Sequence, residues 1–258
     1  MIIGTDTSET GLQKLIIKKL VEEQGYIQTK SHDFDKEFCI NKKQLMDFIK
    51  VTQPENYDFI IKKGERKFIS RLDEKIKKDG VIEVLRKGVK HLDRNIDIFY
   101  QEANSSYNSK DKFKYDSNIF SVTEELVYTS TNSNEIDLVI FINGIPIITM
   151  ELKNAYTYQS VKDAINQYIN NRDKKDKIFN FARCLVHFAV DTEQIYMTTK
   201  IDGKKTFFMP FNKGLNEGNP YAPFGAGNPI NPSGVRTDYL WNDILTKSSL
   251  SNIIGKYV

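Results

Sequence analysis

The sequence has 258 residues, and its 37 basic and 34 acidic residues give a formal net charge of +3. This balance excludes a histone-like polycation, so binding to nucleic acid would require a local basic patch. With 40% hydrophobic and 12% aromatic residues, the chain can build a large core, which excludes wholesale disorder.

Cysteine and histidine usage and the lack of long apolar stretches indicate the compartment. Cys39 and Cys184 each lie in an apolar context, which predicts buried free thiols in a reducing environment. The three histidines have no ligand-like spacing, so we expect no structural zinc site. No apolar stretch reaches the length of a membrane span, and no signal-peptide pattern opens the sequence. We therefore expect a cytoplasmic protein with no membrane contact.

Helices are predicted in the first third of the chain. Apolar residues at helical spacing, with glycine or proline near several ends, place helices at residues 8–24, 43–50, 65–78 and 81–87. Gln53-Pro54 is interpreted as a turn after the second of these helices. After residue 95, alternating β-branched and aromatic residues predict a strand over residues 96–100. The polar segment 107–115 is expected to be a surface loop.

The pattern of the second half predicts a sheet. Strands are expected over residues 119–129, 135–142, 146–153, 184–190 and 194–199, with 204–209 as a weaker candidate and a helix over 160–171. This order predicts an α/β or α+β sandwich with a mixed central sheet. Five of the seven prolines fall between residues 210 and 234, which favours an irregular arm. The predicted division is a domain over residues 1–209 and a Pro/Gly-rich arm with a short helix over 210–258.

Three charged residues interrupt two strongly apolar strands: Asp137, Glu151 and Lys153. Burying a lone carboxylate costs several kcal/mol unless a partner is present, so these charges require an explanation. They could pair with one another or lie at exposed strand ends. Alternatively, two carboxylates on one face form an oxygen-rich site that suits Mg²⁺. A neighbouring lysine can then act on the attacking water or on charge at a scissile phosphate.

The turn between the two strands decides whether these charges share a face. A regular two-residue turn at Asn143-Gly144 opposes Ile142 to Ile145 and places Asp137 and Glu151 on opposite faces. A three-residue loop over residues 142–144 places them on one face, as does any bulge of the same parity. We predict the three-residue loop or another such bulge.

An aspartate, a hairpin and then Glu-x-Lys resembles the active-site pattern of the PD-(D/E)xK nuclease superfamily. Longer blocks of the sequence resemble the N-terminal part of the R subunit of type I restriction enzymes. They include TQPENYDF at 52–59, VLRKGVKHLD at 84–93, SVTEELVY at 121–128, DLVIFINGIPIITMELKN at 137–154, AINQYINNRD at 164–173 and RCLVHFAVD at 183–191. This resemblance implies an α/β fold with a restriction-endonuclease-like core, in which helices flank a mixed central sheet.

The resemblance also assigns roles to individual residues. It implies that Asp137, Glu151, Lys153 and Gln167 are catalytic. Asp137, Glu151 and the carbonyl of Leu152 are implied ligands of Mg²⁺, with Mn²⁺ as a second possible ion.

One part of the family's glutamine motif differs in this sequence. In some members a tyrosine follows the glutamine by four residues, whereas this chain has Asn171 there, with Tyr168 and Arg172 nearby. The basic run 172–177 could contact DNA phosphates or form a solvated face. His187 is interpreted as a buried core histidine.

The implied function is that of a type I site-specific deoxyribonuclease, which cleaves double-stranded DNA together with methyltransferase (M) and specificity (S) subunits. The complete R subunit of this family also carries an ATP-dependent helicase-like motor. The present sequence contains no Gly-x4-Gly-Lys-Ser/Thr phosphate loop, so ATP would act only through a motor outside it. The alternative is a non-catalytic docking module that joins the motor to the methyltransferase core.

Overall fold

A mixed seven-stranded sheet organises the fold, as seen in a computed structural model that describes residues 9–102, 109–153, 159–214 and 227–257. The strands are β1 (Ile27–Thr29), β2 (Val89–His91), β3 (Arg94–Ile96), β4 (Phe120–Val127), β5 (Glu135–Ile142), β6 (Ile145–Leu152), β7 (Val186–Val190), β8 (Ile195–Thr198) and β9 (Met209–Pro210). The sheet order is β1-β4-β5-β6-β7-β8-β9, with parallel pairs β1–β4 and β6–β7 and antiparallel pairs elsewhere. Strands β2 and β3 form a separate hairpin.

Helices cover the sheet, which confirms the predicted α/β class with a mixed central sheet. They are α1 (Glu9–Lys18), α2 (Lys42–Thr52), α3 (Pro54–Lys63), α4 (Glu65–Asp79), α5 (Val81–Lys87), α6 (Ser109–Asp116), α7 (Val161–Asn171) and α8 (Lys247–Asn252). Short π-helical segments occupy Lys19–Glu23, Leu240–Ile244 and Ile253–Tyr257. No helix within the described ranges combines the length and hydropathy needed to cross a lipid bilayer.

Several local predictions were wrong, including the weaker strand candidate 204–209, of which only Met209 lies in a strand. Gln53-Pro54 was interpreted as a turn, but Pro54 is the first residue of α3, where its missing N–H is not needed. The segment 107–115 was expected to be a loop; from Ser109 onward it is helix α6, whose polar face includes a Lys112–Asp116 ion pair. Residues 107 and 108 lie outside the described part. Of the predicted strand 96–100, only Ile96 lies in a strand.

Strands β5 and β6 lie at the centre of the core. Every residue of β6 is buried, because α1 contacts it and α7 packs across β6 and β7. The two cysteines are buried free thiols, as predicted. Beyond the proposed boundary at residue 209, Trp241, Leu250 and Ile254 are buried in the same core cluster as α1. The short C-terminal helices are therefore part of this core, and the boundary itself stays a prediction.

The hairpin between β5 and β6 combines a tight turn with a bulge. Ile142 pairs with Ile145, so the turn consists of Asn143 and Gly144, which have φ angles of 48° and 78°. Two positive φ angles in a two-residue hairpin are typical of a type I′ turn. The register then shifts between Ile140 and Phe141, and Ile147 is the extra residue on β6. The three-residue loop was therefore wrong, and the alternative of another bulge with the same parity is confirmed.

Both turn residues form hydrogen bonds with neighbouring segments of the chain. The side chain of Asn143 accepts from the amide of Ile119 at 2.7 Å and donates to the carbonyl of Ile98 at 2.8 Å. The carbonyl of Gly144 accepts from the amide of Asn41 at 2.7 Å, just before α2. This end of the hairpin is therefore held by α2 and by the segment that precedes β4.

We expect Gly144→Ala to destabilise the protein much more than Gly203→Ala. Both glycines have positive φ, so each substitution loses about 1 kcal/mol to backbone strain. A Cβ at position 144 would overlap the backbone carbonyl of Asn41, whereas a Cβ at position 203 meets no atom within 4 Å. Overpacking adds about 1–3 kcal/mol. Urea denaturation of both variants measures the difference, and equal losses would contradict the packing described for the turn.

Candidate active site

The bulge at Ile147 brings the two sequence-predicted carboxylates to one face. Beyond the bulge, Val139 pairs with Thr149 and Leu138 with Met150, so continuing this register sets Asp137 opposite Glu151. The Asp137 carboxylate accepts a hydrogen bond from the amide of Leu152 at 2.6 Å. The two carboxylates are thus directly opposed, rather than diagonal as the three-residue loop would have placed them.

Glu151 is fully buried and forms an ion pair with Arg172. Its Oε1 atom accepts a hydrogen bond from Nε of Arg172 at 2.7 Å and lies 2.7 Å from Nη2 of the same side chain. The same guanidinium donates to the carbonyl of Glu135 and lies 5.7 Å from the centre of the Tyr128 ring. The Arg172 side chain is 4% exposed, so the pair is shielded from solvent on both sides. Arg172 therefore fixes one carboxylate oxygen of Glu151.

Burial and a neighbouring charge raise the pKa of Glu151 to about 8. Loss of hydration is the larger cause, and repulsion from the Asp137 carboxylate adds to it. Arg172 and Lys153 act in the opposite direction and lower this pKa. The two carboxylates therefore repel each other when both are ionised, and the two cations only partly offset the effects of burial and repulsion.

Lys153 follows β6 directly and lies close enough to influence Glu151. Its amide donates to the carbonyl of Val190 at 2.8 Å, which continues the parallel pairing of β6 with β7. The residue is buried, and its position two residues after Glu151 places it on the same face. Asp137, Glu151 and Lys153 therefore come together, as the sequence predicted; their catalytic roles stay predictions.

Helix α7 carries the predicted site residue Gln167 and, next to it, the buried Tyr168. Gln167 is half-buried on this helix, and its catalytic role stays a prediction. The next residue, Tyr168, is fully buried, and its hydroxyl lies 2.8 Å from Oγ1 of Thr149. That same oxygen lies 2.8 Å from Nδ1 of His187. Burial lowers the pKa of His187 to about 3, which confirms it as a neutral core histidine.

Arg172 is the residue whose role the sequence did not reveal. It was grouped with the basic run 172–177 as a possible DNA contact, but its side chain points inward to Glu151. Its spacing contained the signal, because Ala164 and Tyr168 are buried on one face of α7 and Arg172 follows at the same four-residue spacing, directly after the helix ends. In the rest of the run, Lys174 pairs with Asp202 and Lys177 with Asp73.

The donor set suits a hard divalent cation. The Oε2 atom of Glu151 is buried and lacks a hydrogen-bond partner among the described residues, so this orphaned acceptor can serve as a ligand. Within the described ranges, no group of three or more His, Cys, Asp or Glu side chains is arranged to hold a metal ion, at this site or at any other. Mg²⁺ commonly binds one or two carboxylates and keeps several waters, so Asp137 and Glu151 fit it. The carbonyl of Leu152 stays a predicted third ligand.

Comparison with known proteins places this geometry in context. A family described as "Type I restriction enzyme R protein N terminus" matches residues 6–206. The chain is also similar to a protein of Methanocaldococcus jannaschii named as the endonuclease subunit of a type I restriction enzyme, MjaVIIIP. The two are 31% identical over 83 residues, which is 32% of this chain and 8% of that relative. The matched stretch thus spans a small part of the relative's length.

In metal-free buffer, we expect stability to fall as the pH rises from about 4.5 to about 8 through the titration of Glu151. Its pKa of about 8 in the folded protein lies above the ordinary value of 4.5, so the folded state binds the proton more tightly than the unfolded state does. The stabilisation is complete below the unfolded pKa and is lost as pH rises through the folded one. The slope is about 1.4 kcal/mol per pH unit within this window.

Chemical denaturation across this pH range, compared between the parent and Glu151→Gln, measures the contribution. Glu135→Gln is the matched control, because its side chain is exposed at the start of β5. For Glu151→Gln, we expect the difference in the free energy of unfolding from the parent to change with pH. For the control, we expect this difference to be independent of pH. Parallel curves for the parent and Glu151→Gln would show that Glu151 is not held in the environment described.

Proposed function

Because the chain belongs to the family of type I restriction enzyme R protein N termini, we propose that it is a Mg²⁺-dependent endonuclease that hydrolyses phosphodiester bonds of double-stranded DNA. One observation carries the proposal: the bulge at Ile147 sets Asp137 opposite Glu151, whose buried Oε2 lacks a partner within the described structure. A structural ion pair alone would not leave an acceptor unsatisfied in the core, since such an atom costs about 1–3 kcal/mol.

The proposed cation is held by Asp137, Glu151 and the carbonyl of Leu152, with Mn²⁺ as an alternative to Mg²⁺. When bound, such an ion stabilises charge on a phosphoryl oxygen and lowers the pKa of a water molecule. The amide of Leu152 holds one oxygen of Asp137, and Arg172 holds Oε1 of Glu151. These contacts restrict both carboxylates to one orientation before any ligand arrives.

Lys153 is proposed to act on the reacting groups rather than on the fold. A lysine beside two carboxylates can orient the attacking water and neutralise charge that develops at the scissile phosphate. Its position at the end of β6 places it next to the carboxylate pair, where the phosphate would be bound. Gln167 is proposed as a further contact from α7.

In the complete enzyme, we propose that this endonuclease works with methyltransferase and specificity subunits and with an ATP-dependent motor of the R subunit. The motor's phosphate-loop motif is not found in these 258 residues. We place the protein in the cytoplasm, where its free thiols would stay reduced. A non-catalytic docking module is the competing function, and the next two experiments distinguish the two.

We expect Asp137→Asn to weaken binding of Mn²⁺ by at least about tenfold, because a carboxylate ligand is replaced by a neutral amide. Isothermal titration calorimetry of the purified chain measures the affinity. Asp58→Asn is the matched control, because this aspartate is exposed on α3 and carries the same chemical change. Equal affinities for the parent and Asp137→Asn would remove the metal site.

We expect Lys153→Met to reduce cleavage by about 10²–10³-fold while Mn²⁺ affinity is retained. The measurement is cleavage of supercoiled duplex DNA in Mg²⁺ by the R subunit carrying this chain, assembled with its partner subunits. Lys162→Met on the exposed face of α7 is the control and should cleave at the parental rate. Cleavage by Lys153→Met at that same rate would leave this lysine without a catalytic role, and a parent that binds no metal and cuts no DNA would favour the docking module.

A further inference from the structure

A second charged feature lies in the helical layer rather than at the sheet. A groove of about 830 Å³ is formed by the end of α3, the first half of α4 and the β2–β3 hairpin. Four exposed cationic side chains and one carboxylate line it, namely Lys63, Arg66, Lys67 and Arg71 with Glu74. In a chain whose net charge is only +3, this is a local concentration of positive charge.

One buried histidine beside this groove lacks a partner. His91 is 5% exposed, and its ring lies edge-on to Phe59 and Phe68 at centroid distances of 6.2 and 5.6 Å. Its Nε2 atom is buried without a hydrogen bond to any described residue, although the side chain lines the groove. Leaving a buried polar atom unsatisfied costs about 1–3 kcal/mol. A ligand in the groove that formed a hydrogen bond with Nε2 would remove this cost.

The start of α4 adds uncapped backbone donors to the same groove. Gly64 precedes this 15-residue helix and lines the groove, and no side chain caps the helix at that end. The amide of Lys67 donates to the carbonyl of Gly64, and the amides that precede it in the first turn favour negative charge. The groove therefore combines exposed cations with the start of a helix and a buried histidine in its wall.

The ion pairs already present do not occupy these cations strongly. Arg66 pairs with Glu37, and Arg71 lies 3.3 Å from Glu74; the side chains of both pairs are about half exposed or more. Exposed pairs of this kind contribute only about 0–1 kcal/mol, so both arginines can exchange their partners for a phosphate. Arginine also binds phosphate with two parallel hydrogen bonds.

We propose that this groove binds the phosphodiester backbone of double-stranded DNA, separately from the carboxylate pair on β5 and β6. The choice of DNA as ligand rests on the proposed function. Lysine is depleted at protein interfaces, whereas a strongly positive lining is typical of nucleic-acid surfaces. Contacts of this kind position the duplex without reading its sequence. The groove thus supplies affinity for duplex DNA that does not depend on its sequence.

The test compares two charge reversals on the same helix. Lys67→Glu/Arg71→Glu reverses the groove, and Lys77→Glu/Lys78→Glu makes the same change in net charge on the exposed last turn of α4, outside the groove. Fluorescence anisotropy with a short labelled duplex, without metal, measures affinity over a series of salt concentrations. Circular dichroism checks that both variants are folded.

The groove reversal is expected to weaken binding by about tenfold and to reduce the salt slope by about two, since each phosphate contact contributes about 0.9. The control should retain most of the parental affinity and slope. His91→Phe keeps the ring contacts but removes the nitrogen, and we expect it to bind about threefold more weakly. Equal losses of DNA affinity in both charge reversals would overturn the proposal, and so would a loss in neither. If neither variant lost affinity, an acidic protein would be left as the partner of this groove.

These outcomes are separable from failure of the proposed function. If the parent binds duplex DNA and the groove reversal binds equally well, the groove proposal fails while the nuclease stands. If the groove reversal alone loses binding but the assembled parent does not cut DNA in Mg²⁺, the groove stands and the nuclease fails. A parent chain that does not bind duplex DNA at all overturns the groove proposal as well.

Discussion

The arrangement of the site depends on one extra residue in strand β6. The two-residue turn at Asn143-Gly144 connects strands β5 and β6. Without a bulge, the parity of the pairing that this turn sets would place Asp137 and Glu151 on opposite faces of the sheet. The bulge at Ile147 reverses that parity within three residues of the turn. Every strand residue beyond it changes the face to which it points, so the apolar core and the charge pair depend on the same shift. Losing the bulge would turn Asp137 and Glu151 to opposite faces of the sheet and would require the apolar residues of β6 to repack.

This shift places a carboxylate in the core, and the remaining contacts only partly compensate for its burial. Arg172 satisfies Oε1 of Glu151, while Oε2 lacks a partner in the described structure and Asp137 adds repulsion. Buried ion pairs often contribute little net stability, because desolvation offsets their attraction. A site optimised for stability alone would have apolar residues here, as its strand neighbours are. The proposed cation would satisfy Oε2, and the raised pKa of Glu151 describes the protein without that cation.

The sequence predicted the parts of this fold that periodicity and turn chemistry determine. Strands β5 and β6 and helix α7 were placed within one or two residues, because apolar runs and a four-residue spacing specify them. Helix α3 was missed because Pro54 marks a turn as readily as a helix start. Helix α6 was missed because a short polar helix has no apolar stripe to detect. The apolar run around the bulge shows no break in its pattern, and its one signal is Pro146, because a proline in a central strand lies at the strand start or at a bulge.

The inward direction of Arg172 illustrates a different limit. Within the basic run 172–177, its charge resembles that of its solvated neighbours, and only its spacing from Tyr168 distinguishes it. The cations differ in their surroundings. Arg172 is buried beside a carboxylate, whereas Lys67 and Arg71 are exposed and line a groove. An enclosed guanidinium can orient a ligand-binding oxygen but cannot reach DNA. Exposed cations can exchange partners with a phosphate but cannot fix a reacting group. The sheet and the helical layer therefore carry different parts of one proposed task, with rigid positioning at β6 and exchangeable charge on α4.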